Sequence, residues 1–194
     1  MPEAPSVHDQ LLSAAIETAT IHGIAKLSVG DVAKRAGLSR QTLYRHFPSK
    51  EALIAEAVLR ETWGLIATVT AAADEHEEPR AALEAGFLAA LVATREHPLL
   101  DRLVRTEPEA LLPLLITDGG PVMTQVRGVV EALIAHRLPH LEALPLRRVA
   151  DIVTRLLVSY AVSAPDDPPE EVAAAIASFL TPHLGSTPQE ASQR

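Results

Sequence analysis

Between positions 40 and 50 lie Arg40, Gln41, Thr42, Tyr44, Arg45, His46 and Lys50, side chains that can each donate a hydrogen bond. Their chemistry is recognition. A guanidinium pairs in bidentate fashion with guanine and a carboxamide with adenine, while hydroxyl and ammonium groups suit phosphate oxygens. Within 40–46 only Leu43 is plainly a core residue, so this short segment has one side to anchor and the rest to offer.

Such a row is useful only if a second element holds it at a fixed angle, and residues 28–51, SVGDVAKRAGLSRQTLYRHFPSKE, supply one. Ser28 followed by Asp31 is a helix-start signature, a hydroxyl capping the first turn and a carboxylate reaching back. Val29, Val32, Ala33 and Ala36 then fall at i, i+3, i+4 and i+7, one apolar stripe. Gly37 stands where that helix must end, because glycine takes left-handed backbone angles at little cost. Leu38 is expected to plug inward and Ser39 to cap a second helix running to about His46. Two helices joined by so tight a turn form a helix-turn-helix, in which one helix braces and the next enters the major groove. Candidate DNA-contacting residues are therefore Ser28, Ser39, Arg40, Gln41, Thr42, Tyr44, Arg45, His46 and Lys50. The bland alternative is a structural hairpin with scattered arginines, since short helices with a glycine turn are common in helical proteins.

The residue string itself resembles a known family. Residues 11–60, and above all TLYRHFPSKEAL at 42–53, are similar to the N-terminal DNA-binding domain of the TetR family of bacterial transcriptional repressors. Beyond residue 60 only length and helicity match. The resemblance implies an all-α fold of about nine or ten helices, with a three-helix reading domain at 1–48 and a long helix leading into a ligand-binding and dimerisation domain at 49–184. The tail at 185–194, rich in Ser, Pro and Gln, reads as disordered. The resemblance further implies a cytoplasmic repressor that binds a palindromic operator as a homodimer and leaves it when a small molecule binds.

Charge agrees independently of the resemblance. From Lys26 to Lys50 there are six basic residues against one acid, Asp31. Residues 1–60 carry seven basic and six acidic groups, whereas 61 onward holds ten arginines and nineteen acids, within a net charge of −8. An acidic protein binds DNA when its basic groups gather on one face, with the acidic remainder turned away.

Hydrophobic residues make up 47% of the 194, but aromatics only 3%, so the core must be built from Leu, Ala, Val and Ile. The absence of cysteine excludes disulfides and Cys-based zinc sites. MPEAPSVHDQ lacks the charge and apolar run of a secretory signal and reads as a short flexible lead-in. The most apolar window, 81–94, contains Glu84, falls far short of the ~20 residues a membrane span needs, and reads as a buried helix.

Punctuation sets the remaining elements. Leu11, Leu12, Ala15, Ile16 and Ala19 form the inner stripe of a first helix ending at Gly23. Ser49 caps a long helix from Lys50 to about Ala73, the acidic DEHEEP loop follows, and Pro79 and Pro98 bracket a central helix. Shorter helices are expected at Leu99–Thr106 and Glu109–Ile116, then two longer ones at about Val122–Leu138 and Leu146–Val162, and, after the PDDPP loop at 165–169, a last helix to about Leu180. Val126, Val130, Leu133 and Ile134 on the first of these three, and Ile152, Val153, Leu156 and Leu157 on the second, make apolar surface on more than one side. One side is expected to pack inward and the other, through Val122–Leu138 and Leu146–Val162, against a second subunit. Two reading helices on half-sites about one turn of DNA apart (~34–36 Å) would supply the discrimination that a single helix lacks.

An effector site lined by Leu, Val and Ala, with Trp63, Phe87, Arg102, Met123 and Tyr160 as candidates, would favour a lipophilic molecule: fatty acyl, sterol-like or an apolar drug. Arg95, Arg102 and Arg105 read first as a solvated face, with a ligand carboxylate or phosphate as the alternative. An enzyme is disfavoured, since the chain has no Gly-rich phosphate loop, no GxSxG and no HExxH. No cofactor is called for. His97 with Asp101 and His136 with His140 are pairs without a third ligand, so no metal site is expected. The remaining rival is a helical small-molecule-binding or interaction protein of the same fold without operator binding. It should have lost the polar residues at 40–46, and this chain keeps them.

Overall fold

The computed structural model describes residues 5–110, 120–163 and 166–184, and every regular element among them is an α-helix. The helices are α1 (Val7–His22), α2 (Val29–Arg35), α3 (Arg40–His46), α4 (Lys50–Asp74), α5 (Pro79–Glu96), α6 (Pro98–Thr106), α7 (Pro121–Arg137), α8 (Ala143–Val162) and α9 (Pro169–Leu184). The chain folds as two compact units. One takes in the chain to Gly64 and again His97–Val122; the other takes in Leu65–Glu96 and the chain from Met123 onward.

In the first unit, α1 begins at Val7, so part of the expected flexible lead-in is helical. The reason is a cap: Ser6 Oγ accepts from the Asp9 amide at 3.1 Å. The serine hydroxyl also donates to the Asp9 carboxylate, which holds that carboxyl below its ordinary range. Helix α1 ends at Gly23, whose φ of +88° few side chains tolerate. Leu11, Leu12, Ala15 and Ala19 of the expected stripe are buried, together with Leu27, Val32, Ala33, Leu43, Phe47 and Leu53. Arg60 of α4 braces α1 by donating to the Asp9 carbonyl at 3.2 Å and the Ser13 hydroxyl at 3.1 Å.

Helix α6 completes this unit and packs on α1. His97 caps it, Nδ1 accepting from the Leu100 amide at 3.4 Å while Nε2 faces Glu61 Oε2 at 3.2 Å. Just past its end, the nearly buried Glu107 accepts from the Ala25 amide at 3.0 Å, tying the loop after α1 to a residue 82 positions away.

In the second unit α5 packs on α8 and α9. Ala82, Gly86, Phe87, Ala90 and Leu91 form its buried stripe, so the apolar window at 81–94 is a core helix as expected. No helix among the described residues is long and apolar enough to cross a membrane. Glu78, read from sequence as part of a solvated loop, caps α5 by accepting from the amides of Arg80 at 3.0 Å and Ala81 at 2.7 Å. Those bonds hold its carboxyl below the ordinary glutamate range. The cap is thus intact above that range and is lost as pH falls through the lowered value.

Helix α8 starts at Ala143, one turn earlier than expected, because Pro145 falls in the first turn where its missing N–H costs nothing. Helix α9 reaches Leu184. Of the expected Glu109–Ile116 helix, residues 108–110 are helical and 111–116 lie outside the described residues, as does the tail.

The α7 stripe is used within the protomer: Val126, Val130 and Ile134 are buried. This is the inward side expected of α7. On α8, Val153 is buried but Ile152 is 51% exposed and Leu144 59%. The most exposed of these aliphatic side chains are on α8, while Leu133 of the α7 stripe is half-buried.

Candidate nucleic-acid interface and ligand cavity

The reading helix α3 has seven residues, too few to be stable alone in water, so its neighbours must fix it. Leu43, fully buried, and Phe47 just beyond the helix, 1% exposed, are its anchors. The His8 ring stacks on Phe47 with centroids 4.8 Å apart, and His8 also contacts Glu56 at 2.9 Å. Phe47 was not singled out from sequence, although an aromatic directly after a polar helix is a visible signal of such an anchor.

Both helices begin on serine caps. Ser28 Oγ accepts from the Asp31 amide at 3.1 Å, and Ser39 Oγ accepts from the Thr42 amide at 3.0 Å. The Ser39 and Thr42 hydroxyls also lie 2.9 Å apart. The turn between the helices passes through Gly37 at φ +69°, with Leu38 N donating to the Ala33 carbonyl at 2.8 Å. Ser39→Ala is expected to cost about 0.5–2 kcal/mol of stability, measurable by urea unfolding, because the cap bond is lost. An unchanged unfolding midpoint would mean that the cap does not hold α3.

With the anchors inside, Arg40, Gln41, Tyr44, Arg45 and His46 are exposed, Tyr44 by 54%, and Thr42 is half-buried. Arg40 and Arg45 make no ion pair with the described residues, whereas Arg35 is engaged by Glu17 at 3.3 Å. The Arg40 guanidinium lies over Gly30 at the start of α2, so closely that a Cβ there would collide with it. Lys50 donates to the Ala25 carbonyl at 3.2 Å. The structure thus gathers the nine expected DNA-contacting residues on α2, α3 and the start of α4. Ser28 and Ser39 serve as helix caps, and the α3 side chains are offered outward.

The five expected effector residues are dispersed. Phe87 alone lines a cavity of about 80 Å3 in the second unit, with walls that include Val69, Val130, Ile134 and Leu157, and with Arg137 as its one charged lining residue among those described. Trp63 is 49% exposed on α4. Arg102 of α6 has its Nε 4.0 Å from Glu107, and Met123 and Tyr160 are half-buried outside the cavity lining. Arg105 pairs with Asp101. His97 and Asp101 therefore have separate partners, and no cluster of three or more potential metal ligands occurs among the described residues.

Comparison with known proteins follows this division. Residues 11–57 match the family model for bacterial regulatory proteins of the tetR family. Residues 78–182 match the bacterial tetracyclin repressor C-terminal domain. An uncharacterised HTH-type transcriptional regulator of Mycobacterium tuberculosis is 31% identical over 192 residues, covering 96% of this chain and 88% of that protein. The HTH-type transcriptional regulator AlkX of Mycobacterium tuberculosis is 28% identical, over 91% of this chain and 84% of its own. Among solved structures, the repressor AlkX of a Dietzia species, implicated in biodegradation of n-alkanes, superposes with a TM-score of 0.75 at 26% identity. That match covers 94% of this chain and 97% of the other. With its N-terminal helix-turn-helix and more than half of its length matched by the C-terminal model, the chain belongs to the TetR family of DNA-binding transcriptional regulators.

Proposed function

We propose that the protein is a repressor that binds a two-fold symmetric operator as a homodimer and is released by a small lipophilic effector held in the second unit. In this reading residues 1–48 are the reading head, 49–184 the sensing and dimerisation domain and 185–194 a tail. The observation that carries it is the exposed row Arg40, Gln41, Tyr44 and Arg45, held out by the buried Leu43 and Phe47. In an interaction protein of the same fold without operator binding, nothing would require those side chains.

Selection of bound duplexes from a random pool at near-physiological salt tests the operator reading, with enrichment of a palindrome as the expected result. On that site Arg40→Ala and Gln41→Ala are each expected to cost about 1–3 kcal/mol and to relax preference at defined positions. Lys50→Ala should weaken all sequences alike and reduce the salt slope by about one. Arg40→Ala with unaltered affinity would remove Arg40 from the groove.

For the dimer through α7 and α8, exposed Ile152 and Leu144 support α8 as the principal surface. Ile152→Glu places a charge where a second subunit would bury it, and is expected to give a monomer by sedimentation velocity at micromolar concentration. A dimer that survives the substitution would place the interface elsewhere. The cavity's aliphatic walls favour an aliphatic effector over a fused ring. The n-alkane connection of the Dietzia relative points the same way.

A further inference from the structure

Resting on the effector reading above, we propose that the ligand is an aliphatic chain ending in a carboxylate, and that Arg137 is the residue that distinguishes an acid from a neutral chain. Arg137 is the last residue of α7 and borders the cavity, with its side chain only 14% exposed. Its Nη2 donates to the Ala73 carbonyl at 2.8 Å and to Asp74 Oδ1 at 2.9 Å. Its Nη1 is buried and has no hydrogen-bond partner among the described residues.

A guanidinium donor out of contact with solvent normally finds an acceptor, because the water it gave up is otherwise not replaced. Arg137 borders both this cavity, whose other described side chains are aliphatic apart from Phe87 and offer no acceptor, and a recess lined by Asp74, His76, Glu77 and His136, none of which bonds Nη1. The missing acceptor is thus one that a ligand can bring in. A carboxylate suits it best among simple chain ends: it carries charge, and its oxygens match the planar fork of the guanidinium. An alcohol brings one weaker acceptor and an alkane none. Asp74, whose side chain is 57% exposed, neutralises Arg137 only from the solvent side and would compete with a bound carboxylate for the guanidinium's charge.

The position also bears on α4. The Ala73 carbonyl held by Arg137 lies at the C-terminal end of α4, among the helix carbonyls that have no partner within the helix. The other end of α4 follows α3 after three residues. A carboxylate drawing on Arg137 therefore acts on one of two donors to this carbonyl, the other being the His76 amide at 3.2 Å.

The test is calorimetric titration of the full-length protein at neutral pH with octanoate and 1-octanol, repeated on Arg137→Met and Asp74→Asn. Octanoate is expected to bind the wild type at least about tenfold more tightly than 1-octanol, by analogy with other buried sites built around a polar partner. Arg137→Met should abolish the difference by weakening octanoate alone. Asp74→Asn should strengthen octanoate binding several-fold and leave 1-octanol unchanged. Opposite signs for the two variants separate ligand recognition from a merely structural ion pair, whose loss would weaken both ligands in both variants. Equal affinities in the wild type, or a preference for acid that survives Arg137→Met, would overturn the role of Arg137 while leaving the cavity as an effector site. Failure of both ligands to bind, extended to butanoate, dodecanoate and their alcohols, would overturn the effector reading together with this one.

Discussion

Leu43→Ala is expected to lower the unfolding free energy by about 2–5 kcal/mol, the range for truncating a fully buried leucine. The loss should fall in the upper part of that range. Leu43 is the buried residue of a seven-residue helix, and α3 has no stability of its own with which to compensate. Tyr44→Ala, one position away, should leave stability within ~0.5 kcal/mol, because Tyr44 is 54% exposed. The pair should also separate on DNA. Tyr44→Ala protein stays folded and binds operator more weakly, whereas Leu43→Ala protein loses binding in step with its unfolding. Urea unfolding followed by circular dichroism, with operator titration at a temperature where both variants are folded, checks this. If Leu43→Ala were as stable as wild type, α3 would not be anchored where the structure places it.

The second large effect is expected at Gly23. Its φ of +88° disfavours any side chain, and a Cβ would run into the Glu107 carboxylate that accepts from the Ala25 amide. At ψ 159° this backbone region is essentially reserved for glycine, so strain of about 1–3 kcal/mol and partial loss of a charge-assisted bond worth about 1.5–3 kcal/mol together predict a deficit of roughly 2–5 kcal/mol for Gly23→Ala. Gly37→Ala is the control. Gly37 also has positive φ, +69°, but a Cβ there meets nothing within 4 Å, so only the backbone cost of about 1–2 kcal/mol applies. The Glu107 contact is measured by how far the Gly23→Ala cost falls in a Glu107→Ala background, where only the backbone term should remain. A cost that stays undiminished without Glu107 would assign it to something other than this carboxylate.

Much of this architecture is visible in the residue string, because local signals carry it. Ser39 three positions before Thr42, Gly37 at a helix end, and prolines 79 and 98 opening helices each determine structure over a few residues, and each stands where the spacing placed it. Local signals also located the exposed row of α3, since a polar helix with one leucine has only one way to face a core.

Contacts between distant residues were not legible. Glu107 meets Ala25 across 82 positions, and no pattern near either residue announces it. The cavity suffers the same limit: Phe87 was an evident candidate by type, but Arg137 borders the cavity only because the end of α7 comes to lie beside the end of α4. Trp63 and Tyr160 were chosen for size, and size does not tell a helix which side to turn. The apolar surplus on α7 and α8 was read correctly, but its division between core and exposed surface depends on packing that periodicity cannot specify.

The unit that carries α3 is discontinuous in sequence, closing only when α6 and Glu107 arrive after α5 has been made. On the ribosome, where chains emerge at ~5–20 residues per second, α1 to α3 are therefore exposed for several seconds before their last tether exists. Nascent chains cut off before residue 97 would display the reading helix without the packing of α6 on α1 and without the Glu107 bond to the loop after α1. The last contacts of the unit that carries α3 thus form only late in synthesis.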